Sequence, residues 1–470
     1  RTTVRLIQPT TSMKYYSLNS PGSFVDFKEA TIRGQAPDKG LYFPQSIPTL
    51  PKYLLTQIDT LSREELAYQV IRPYTGDTLP ESELRRIVAE TIDFDFPLVP
   101  IEPAQTFAAS ASPDITSRQP QTFAASPASP DIFSLELFHG PTLAFKDVGA
   151  RFMSRCLGYF VRDNKRPVTV LVATSGDTGG AVASGFYDVE GIRVVILYPS
   201  GKVSSVQELQ LTTLGKNITA LEVNGSFDDC QQMVKEAFAD KTLQQELFLT
   251  SANSINVARW LPQQFYYFFA WQQWTDKKNP PVICVPSGNF GNICAGLLAH
   301  QSGLPAAHFI AACNANDVVP VFLQTGEYKT KAAKPTLSNA MDVANPSNFV
   351  RILELFQKQL PSLKKTLSSV SISDDETVAA IRRLYTDHHY LADPHGAVGW
   401  LALHRYLDEH PGSKGFFLET AHPVKFYDTV EPIIGQQIPL PASVAALLDK
   451  QKQSKKIAAL YTNLKDFLLS

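Results

Sequence analysis

Several features that would place a protein in a specialised class are missing from these 470 residues. The five cysteines are odd in number and form no C-x-x-C pair, which argues against a disulfide framework and favours reduced thiols in the cytoplasm. No apolar run reaches the roughly 18 residues that a membrane-spanning helix needs. The net charge of -2 indicates no basic surface for nucleic acid or anionic membrane. These absences agree with a cytoplasmic metabolic enzyme that has neither kind of partner.

Short apolar strands alternate with segments of helical spacing through the middle of the chain. The predicted strands cover residues 168–174, 193–198, 218–223, 281–285 and 308–313. Such alternation predicts parallel sheets with helices on both faces. Turns at the carboxyl ends of these strands are then the natural places for catalytic groups.

Lys146 ends a turn-rich and mostly apolar run, LFHGPTLAFKD, at residues 137–147. Such surroundings desolvate a lysine easily, which disfavours its ammonium form and leaves the free amine that can react with a carbonyl cofactor. Taken alone, a lysine beside an aspartate is more often a solvated surface pair. Lys146 is a candidate catalytic residue only if other segments support it.

The second candidate segment, residues 282–296, has the pattern of a buried strand, a glycine-rich turn and the start of a helix. Its turn consists of Gly288, Asn289, Phe290, Gly291 and Asn292. Backbone N–H groups of such a turn and of the helix N-terminus point together and favour an anion such as phosphate. The turn lacks the Lys-Ser/Thr ending of a nucleotide-triphosphate loop and the G-x-G-x-x-G of a dinucleotide fold. An ordinary capped turn is the alternative.

The third segment, residues 168–181, repeats the pattern of strand, small-residue turn and helix. The turn contains Ser175, Gly176, Asp177 and Thr178, whose hydroxyl and N–H groups could bind a carboxylate next to a cofactor. Many α/β proteins place such residues at a helix start for capping alone. The segment by itself therefore favours capping.

In this order, the three segments resemble those of the threonine synthase family, pyridoxal-phosphate enzymes of fold type II. A fourth segment, FLETAHPVKF at residues 417–426, resembles the family segment whose threonine hydrogen-bonds the pyridine nitrogen of the cofactor, and that role falls on Thr420. The resemblance implies that Lys146 forms the covalent link to the cofactor. It further implies that the 288–292 turn binds the cofactor phosphate and that the 175–178 turn lies by the substrate carboxylate. The resemblance runs from about Met13 to the C-terminus apart from one insert.

The resemblance also implies a reaction, the conversion of O-phosphohomoserine and water to L-threonine and phosphate by elimination and addition. A dianionic leaving group needs cations, and Lys202 and Arg259 are two candidates, with Asn256 close to Arg259 in the chain. Each of these cations could equally be a solvated or structural charge. The family permits either a monomer or a homodimer, and we expect no regulatory extension of the plant type.

For the fold, the resemblance implies an α/β protein with two lobes of parallel sheet covered by helices, the cofactor between them, and an extra N-terminal domain. The expected divisions are an N-terminal domain over 13–95, a small lobe over 147–249, a large lobe over 133–146 with 250–432, and a helical C-terminal segment over 433–470. Helices are predicted at residues 63–71 and 81–92 of the N-terminal domain and at 442–469.

An insert at residues 96–132 departs from the family pattern. The sequence QTFAAS at 105–110 recurs at 121–126, and SPDI at 112–115 recurs at 129–132. Two copies cannot form a solenoid, and the Ala, Ser and Pro content predicts a loose surface loop. Residues 1–12 precede the family-like start and are expected to be an extension or a cloning remnant, with a targeting peptide as the minor alternative.

Two other functions stay open. One is another fold type II lyase, either a dehydratase or a threonine-synthase-like phospho-lyase. The dehydratases typically carry Asn where Asp177 stands, and the turn around Phe290 favours the threonine synthase family. The other is a degenerate homologue that binds a ligand without turnover, against which the retention of Lys146 and Thr420 argues.

A group of histidines late in the chain could suggest a metal. His388, His389 and His395 lie near Asp393, but their spacing matches no recognised metal site. Loop and helix-end roles are favoured, and we expect no metal.

Overall fold

Two parallel sheets dominate the computed structural model, which describes residues 12–101 and 131–470. One sheet has six strands and the other five, with helices packed against them, and a three-stranded antiparallel sheet lies in the N-terminal region. The predicted fold class, two α/β lobes with an added N-terminal domain, is confirmed. Most of the predicted insert loop and nearly all of the N-terminal extension fall outside the described residues.

The N-terminal region begins with the small antiparallel sheet and continues with helices. Both helices predicted here are present, and each buries one apolar face. A serine caps the first of them by accepting the N–H of Glu65. The elements are β1 (Tyr15–Ser17), β2 (Phe24–Val25), α1 (Phe27–Arg33), β3 (Tyr42–Pro44), α2 (Lys52–Thr56), α3 (Arg63–Thr75) and α4 (Glu81–Thr91).

Two antiparallel strands at the edge of the large sheet lie at the ends of the 96–132 range that was predicted as a loop. These are β4 (Leu98–Pro100) and β5 (Ile132–Glu136), and beyond β5 the chain reaches α5 (Lys146–Val161). The N–H of Ile101 donates to the carbonyl of Ile132 at 2.9 Å, so the described residues on either side of the insert are hydrogen-bonded together. They flank the amino end of β5, whereas the chain continues toward Lys146 from its carboxyl end, and a five-residue strand separates these two ends by roughly 16 Å.

The small lobe is built on the five-stranded sheet, in the order β14-β8-β7-β6-β9, with all pairs parallel. Its central strands are almost entirely buried, as expected of a sheet covered on both faces. The elements are β6 (Val168–Ala173), α6 (Asp177–Phe186), β7 (Ile192–Pro199), α7 (Ser205–Thr212), β8 (Ile218–Asn224), α8 (Phe227–Ala239), α9 (Lys241–Glu246), β9 (Phe248–Thr250) and, near the C-terminus, β14 (Ser454–Ala458).

The large lobe contains the six-stranded sheet, in the order β12-β11-β10-β13-β5-β4, parallel except for β4. The two strands that precede candidate site residues, β10 and β13, lie side by side in its centre and are buried. Its other elements are α10 (Val257–Trp260), α11 (Gln264–Gln273), β10 (Val282–Pro286), α12 (Gly291–Gln301), β11 (His308–Cys313), α13 (Val318–Thr325), α14 (Phe349–Leu355), α15 (Leu360–Thr366), β12 (Leu367–Ser371), α16 (Asp374–His388), α17 (Pro394–Glu409), β13 (Gly415–Glu419) and α18 (Tyr427–Ile434).

The C-terminal segment is not helical throughout, so the prediction for 442–469 is wrong in its middle. Two helices, α19 (Ala442–Leu448) and α20 (Tyr461–Leu469), flank β14, which pairs with the edge of β8. Only Ile457 of β14 is buried, so the sequence SKKIA has no strand-like apolar pattern. The free edge of β8 supplies the hydrogen bonds that make this segment a strand, and the C-terminus thereby joins the small lobe.

The aromatic stretch at 265–271 is predicted as a buried amphipathic helix. It forms α11, which is buried as predicted but has no polar face, because every residue from 264 to 271 is buried. Within the described ranges, no helix is both long enough and apolar enough to cross a membrane. All five cysteines are buried, and none forms a disulfide.

Candidate active site

The segment that carries Lys146 is hydrogen-bonded to the segment that carries Thr420. The N–H of Phe145 donates to the carbonyl of Thr420 at 2.9 Å, and the N–H of His422 donates to the carbonyl of Leu143 at 3.0 Å. Lys146 itself begins α5, which packs against α6 of the small lobe. Two motifs that are far apart in the sequence therefore lie next to each other at the carboxyl ends of β5 and β13.

Lys146 is half-buried, and its surroundings favour the neutral amine. Burial lowers the pKa of its ammonium group, and the charges of Lys425 and Arg259 lower it further, while Asp177 opposes them. Desolvation and neighbouring cations are the two usual ways of making a lysine nucleophilic.

Asp147 does not form a surface pair with Lys146. Its carboxylate is 1 % exposed and accepts the N–H of Thr142 at 2.9 Å and the Thr142 hydroxyl at 2.6 Å. Burial raises the pKa of Asp147, although the bonds from Thr142 oppose the shift. A Cβ at Gly140 would lie 2.5 Å from the same carboxylate, so only glycine fits there. Asp147 fixes the turn that delivers Lys146, and the solvated-pair alternative is excluded.

The candidate carboxylate turn lies between β6 and α6. The hydroxyl of Thr174 accepts the N–H groups of Gly176 at 3.0 Å and Gly179 at 2.8 Å. Gly176 has φ 141°, a conformation that L-residues rarely adopt. Ser175 is exposed, and the N–H groups of Ser175, Asp177 and Thr178 donate to no acceptor in the described part of the chain. Backbone donors are therefore free at this helix N-terminus.

Asp177 forms a buried ion pair with Lys425, a residue that sequence reasoning missed. Nζ of Lys425 lies 2.7 Å from Oδ1 of Asp177 and donates to the carbonyl of Thr142 at 2.8 Å, while Gln207 donates to the same Oδ1 at 2.9 Å. Burial alone would raise the pKa of Asp177, but Lys425 and Lys146 outweigh it and lower the pKa. The signal for Lys425 was its place in the 417–426 motif, five residues after Thr420.

The glycine-rich turn after β10 is tied to two other loops. Phe290 adopts the left-handed conformation, with φ 60°, and its ring packs edge-on against Phe349 at 5.6 Å between centroids. Asn289 donates to the hydroxyl of Ser254 at 2.6 Å and accepts the N–H of Ser347 at 2.6 Å. The N–H groups of residues 288–290 themselves have no hydrogen-bond acceptor among the described residues.

Asn292 lies in the first turn of α12, and hydrogen bonds from uncharged side chains fix its position. Its Oδ1 accepts the hydroxyls of Tyr266 and Tyr267, each at 2.7 Å. These bonds orient the amide so that its donor group, Nδ2, is buried without a partner. Buried donors of this kind are rare in folded proteins and call for an acceptor.

Of the remaining candidates, Lys202 is exposed after β7, and no side-chain bond of its own is found in the described chain. Asn256 is fully buried and caps α10, and it also donates to the carbonyl of Thr31 at 2.9 Å. Arg259 is 2 % exposed, donates Nη1 to the carbonyl of Ala252, and leaves Nε buried without a partner. Burial lowers the pKa of Arg259 to about 10, which leaves it charged at neutral pH.

Comparison with known proteins settles the family. The family model described as "Pyridoxal-phosphate dependent enzyme" matches residues 123–416, "Threonine synthase N terminus" matches 14–92, and "Threonine synthase, C-terminal" matches 396–468. Threonine synthase of Serratia marcescens is 41% identical over 97% of this chain and 99% of its own length. The chain belongs to the threonine synthase family.

Other members of the threonine synthase family support the same assignment. Threonine synthase of Escherichia coli K12 is 40% identical over 97% of this chain and all of its own. The crystal structure of the Escherichia coli protein matches with a TM-score of 0.85 over 97% of this chain and 99% of that one. A structure described as pyridoxal-phosphate-bound threonine synthase from Brucella melitensis is 33% identical, with a TM-score of 0.84 over 97% and 99% of the two chains.

The cofactor of the threonine synthase family fits the residues present. Pyridoxal phosphate carries a phosphate, an aldehyde and a pyridine nitrogen. The free N–H groups of residues 288–290 and the unpaired Nδ2 of Asn292 form a neutral donor set at a helix N-terminus, which suits the phosphate. Lys146 offers an amine with a lowered pKa for the aldehyde. The hydroxyl of Thr420, 7 % exposed as a residue, makes no hydrogen bond to any described residue and would be free to bond the ring nitrogen.

The histidines that suggested a metal are not gathered around one site. No group of three or more His, Cys, Asp and Glu residues could hold a metal ion in the described residues. His395 pairs with Asp393 inside the large lobe, whereas His388 packs edge-on against Trp400.

Proposed function

We propose that this chain converts O-phosphohomoserine and water to L-threonine and phosphate, with pyridoxal phosphate as its cofactor. The observation that carries the proposal is the hydrogen-bonded junction of the Lys146 and Thr420 segments beside two helix N-termini with free N–H donors. A cofactor held at Lys146 would then have an anion-binding turn for its phosphate, and a substrate would have another for its carboxylate.

The side chains have distinct roles in this proposal. The free N–H groups of the 175–178 turn bind the substrate carboxylate. With the substrate amine in its place at the cofactor, Lys146 would take the proton from Cα, release it to solvent and, as a free amine again, take one from Cβ; phosphate would then leave from Cγ with the electron pair of its C–O bond. Water adds at Cβ, and Lys146 returns the protons that complete threonine. When bound, pyridoxal phosphate supplies the electron sink that stabilises negative charge on these carbons.

Two cations are proposed to bind the substrate phosphate, and they differ in how far each is buried. Arg259 is buried, remains charged at neutral pH and has an unpartnered Nε, so it offers a desolvated donor to a dianion. Lys202 is exposed and would contribute a more strongly screened charge. The amide of Asn256 caps α10 and donates to the carbonyl of Thr31 in the N-terminal region. We therefore propose that Asn256 positions Arg259, which lies on α10, and does not bind the substrate itself.

The test of this function is a paired assay of phosphate and threonine. The purified protein, incubated with pyridoxal phosphate, is expected to show a bound-cofactor absorbance band that Lys146→Ala lacks, and to release phosphate and threonine in equal amounts from O-phosphohomoserine. A band without threonine would mean another lyase, and a protein that binds the cofactor without turnover of any substrate would be the degenerate homologue.

The phosphate contacts have their own test. Arg259→Lys and Lys202→Ala are each expected to raise KM for O-phosphohomoserine, with the larger effect at Arg259. Lys450→Ala, an exposed lysine beyond α19, is the control and should leave KM unchanged. An unchanged KM in Lys202→Ala would remove Lys202 from the site.

We further propose that the enzyme works in the cytoplasm as a monomer or homodimer. The five free, buried thiols support a reducing compartment. Sedimentation of the purified protein would distinguish the two assembly states.

A further inference from the structure

A buried group of acidic and histidine side chains lies directly behind the Thr420 end of the site. Glu419 is the last residue of β13 and adjoins Thr420, Asp393 caps α17, and His395 lies in the first turn of that helix. Glu419 and Asp393 are fully buried, and His395 is 2 % exposed. None of the three has a role in the chemistry described above.

The hydrogen bonds of this group fix the protonation of the histidine. Asp393 accepts the N–H of Gly396 at 2.6 Å and bonds Nδ1 of His395 at 2.8 Å. Nε2 of His395 accepts the N–H of Ala340 at 3.2 Å. A ring nitrogen that accepts a hydrogen bond carries no proton, so His395 is neutral and its single proton is on Nδ1, donated to Asp393.

Glu419 has no partner that could stabilise a negative charge on both of its oxygens. Its Oε1 accepts the N–H of Asp393 at 2.7 Å, but its Oε2 is buried without a donor. The acidic groups that face it, Asp393 and Glu136, repel a negative charge, and no lysine or arginine of the described residues forms an ion pair with it. Burial, and after it the charge of Asp393, raises the pKa of Glu419 well above its ordinary value. Tyr390, His422 and Asp342 are further titratable groups next to this cluster.

The same group reaches the phosphate turn at its other end. The Ala340 N–H that His395 accepts belongs to a short 3-10 helix, Asn339–Met341, whose last residue, Met341, packs on Gly288. A Cβ placed on Gly288 would lie 2.6 Å from Cα of Met341. A continuous path of contacts therefore leads from Thr420 through Glu419, Asp393 and His395 to the turn that begins at Gly288.

We propose that Glu419 carries a proton that it shares with Asp393, and that this pair, with neutral His395, positions Thr420 relative to the phosphate turn. The shared proton supplies the donor that Oε2 of Glu419 lacks and leaves a single negative charge on the pair. These are positioning residues, because they contact neither cofactor nor substrate. The inference rests on the proposed placement of the cofactor between Thr420 and the 288–292 turn.

The experiment compares Glu419→Gln with Asp393→Asn in the apo-protein. A glutamine can donate to Asp393 and accept the Asp393 N–H, so Glu419→Gln is expected to bind pyridoxal phosphate within about twofold of the wild type. An asparagine offers one acceptor oxygen where the network needs acceptors for Gly396, His395 and Glu419. Asp393→Asn is therefore expected to weaken cofactor binding about 10- to 100-fold, the effect of losing a charged buried hydrogen bond.

Infrared spectroscopy detects the proton on Glu419 directly, and a purely structural role of Glu419 would not produce that signal. The wild-type apo-protein should show the C=O stretching band of a protonated carboxylic acid at pH 8, and Glu419→Gln should lack it. Glu136→Gln, at the half-buried neighbour that pairs with His139, is the matched control and should keep both the band and the cofactor affinity.

Each outcome decides between the alternatives. Loss of affinity in Glu419→Gln as large as in Asp393→Asn, or no acid band to lose, would mean that Glu419 is ionised and would overturn the proposal. Wild-type affinity in Asp393→Asn would also overturn it. If the wild type itself fails to bind pyridoxal phosphate, the proposed function fails, whereas the infrared band still tests the shared proton. Should Asp393→Asn not fold, Glu419→Gln decides the question alone.

Discussion

The two strand-to-helix turns of the site, one after β6 and one after β10, share a backbone plan but differ in charge. The turn after β6 contains the buried carboxylate of Asp177, which Lys425 neutralises at 2.7 Å. The turn after β10 has no charged residue, and the hydroxyls of Tyr266 and Tyr267 hold Asn292.

The difference matters because both turns are proposed to bind anions. A buried carboxylate beside a carboxylate-binding turn would repel the substrate unless a cation compensates it. Lys425 provides that cation and also lowers the pKa of Lys146. The neutral turn needs no such compensation, since backbone N–H groups and an amide are sufficient donors for a phosphate.

The largest expected effect comes from removing the cation of the charged turn. Lys425→Met leaves the Asp177 carboxylate buried and unpaired, which should lower the free energy of unfolding by about 3–5 kcal/mol. Urea unfolding of the apo-protein measures it. Lys216→Met breaks an exposed pair with Asp188 and should leave stability nearly unchanged. Equal losses of unfolding free energy in Lys425→Met and Lys216→Met would show that breaking the buried pair costs no more than breaking the exposed one.

A smaller effect is expected from the backbone of the charged turn. Gly176→Ala forces a side chain into φ 141° and places a Cβ 2.5 Å from the Gln207 side chain, so roughly 2–4 kcal/mol of stability should be lost. Gly201→Ala is the matched control, because its φ is 65° and nothing lies within 4 Å of the added Cβ. Its cost should be about 1 kcal/mol from strain alone. Thermal or urea unfolding distinguishes the two.

The neutral turn should respond more weakly. Tyr266→Phe or Tyr267→Phe removes one of two hydroxyl donors to Asn292, and each should cost about 1 kcal/mol, read as a several-fold weaker affinity for pyridoxal phosphate. Tyr74→Phe removes a buried hydroxyl bonded to Ser302 in another region and should leave the affinity unchanged. A hundredfold loss in either test variant would contradict a turn held by neutral bonds.

The smallest effect is a pH dependence confined to the charged turn. Because the pKa of Asp177 is lowered in the folded protein, its ion pair contributes stability above the unfolded value of about 4. That contribution disappears as the pH falls through the folded pKa. The stability of the wild type minus that of the double variant Asp177→Asn, Lys425→Met should therefore decline below about pH 4. A difference that stays constant from pH 7 to pH 3 would argue against the ion pair.

Prediction from sequence succeeded where the signal is local. Five predicted strands and two predicted helices of the N-terminal region are present within a few residues of their expected bounds, because each carries its own apolar pattern and flanking turn residues. It failed at β14, whose sequence has no strand pattern and which pairs only because β8 presents a free edge. The aromatic helix α11 is buried as predicted, but it lacks the expected polar face, since Gln263 and Gln264 at its start lie inside the core.

The same division holds for the site. Lys146, Thr420 and the two turns were proposed from their motifs, and the structure adds the hydrogen bonds that join the Lys146 segment to the Thr420 segment. The pairing of Asp177 with Lys425 could not be read from spacing, because the two residues lie far apart in the chain. For the same reason, the sequence had no signal for the proton that we propose Glu419 to share with Asp393.

By itself, the sequence determined the α/β class, the order of the motifs and the chemical type of each candidate group, since these depend on residue identity and on contacts within one strand or turn. Only the tertiary structure decided which charges neutralise one another, that the described ends of the insert flank the amino end of β5 away from Lys146, and which polar atoms remain without partners. Those properties depend on burial and on contacts between distant segments, which fix the local dielectric and the geometry of each pair.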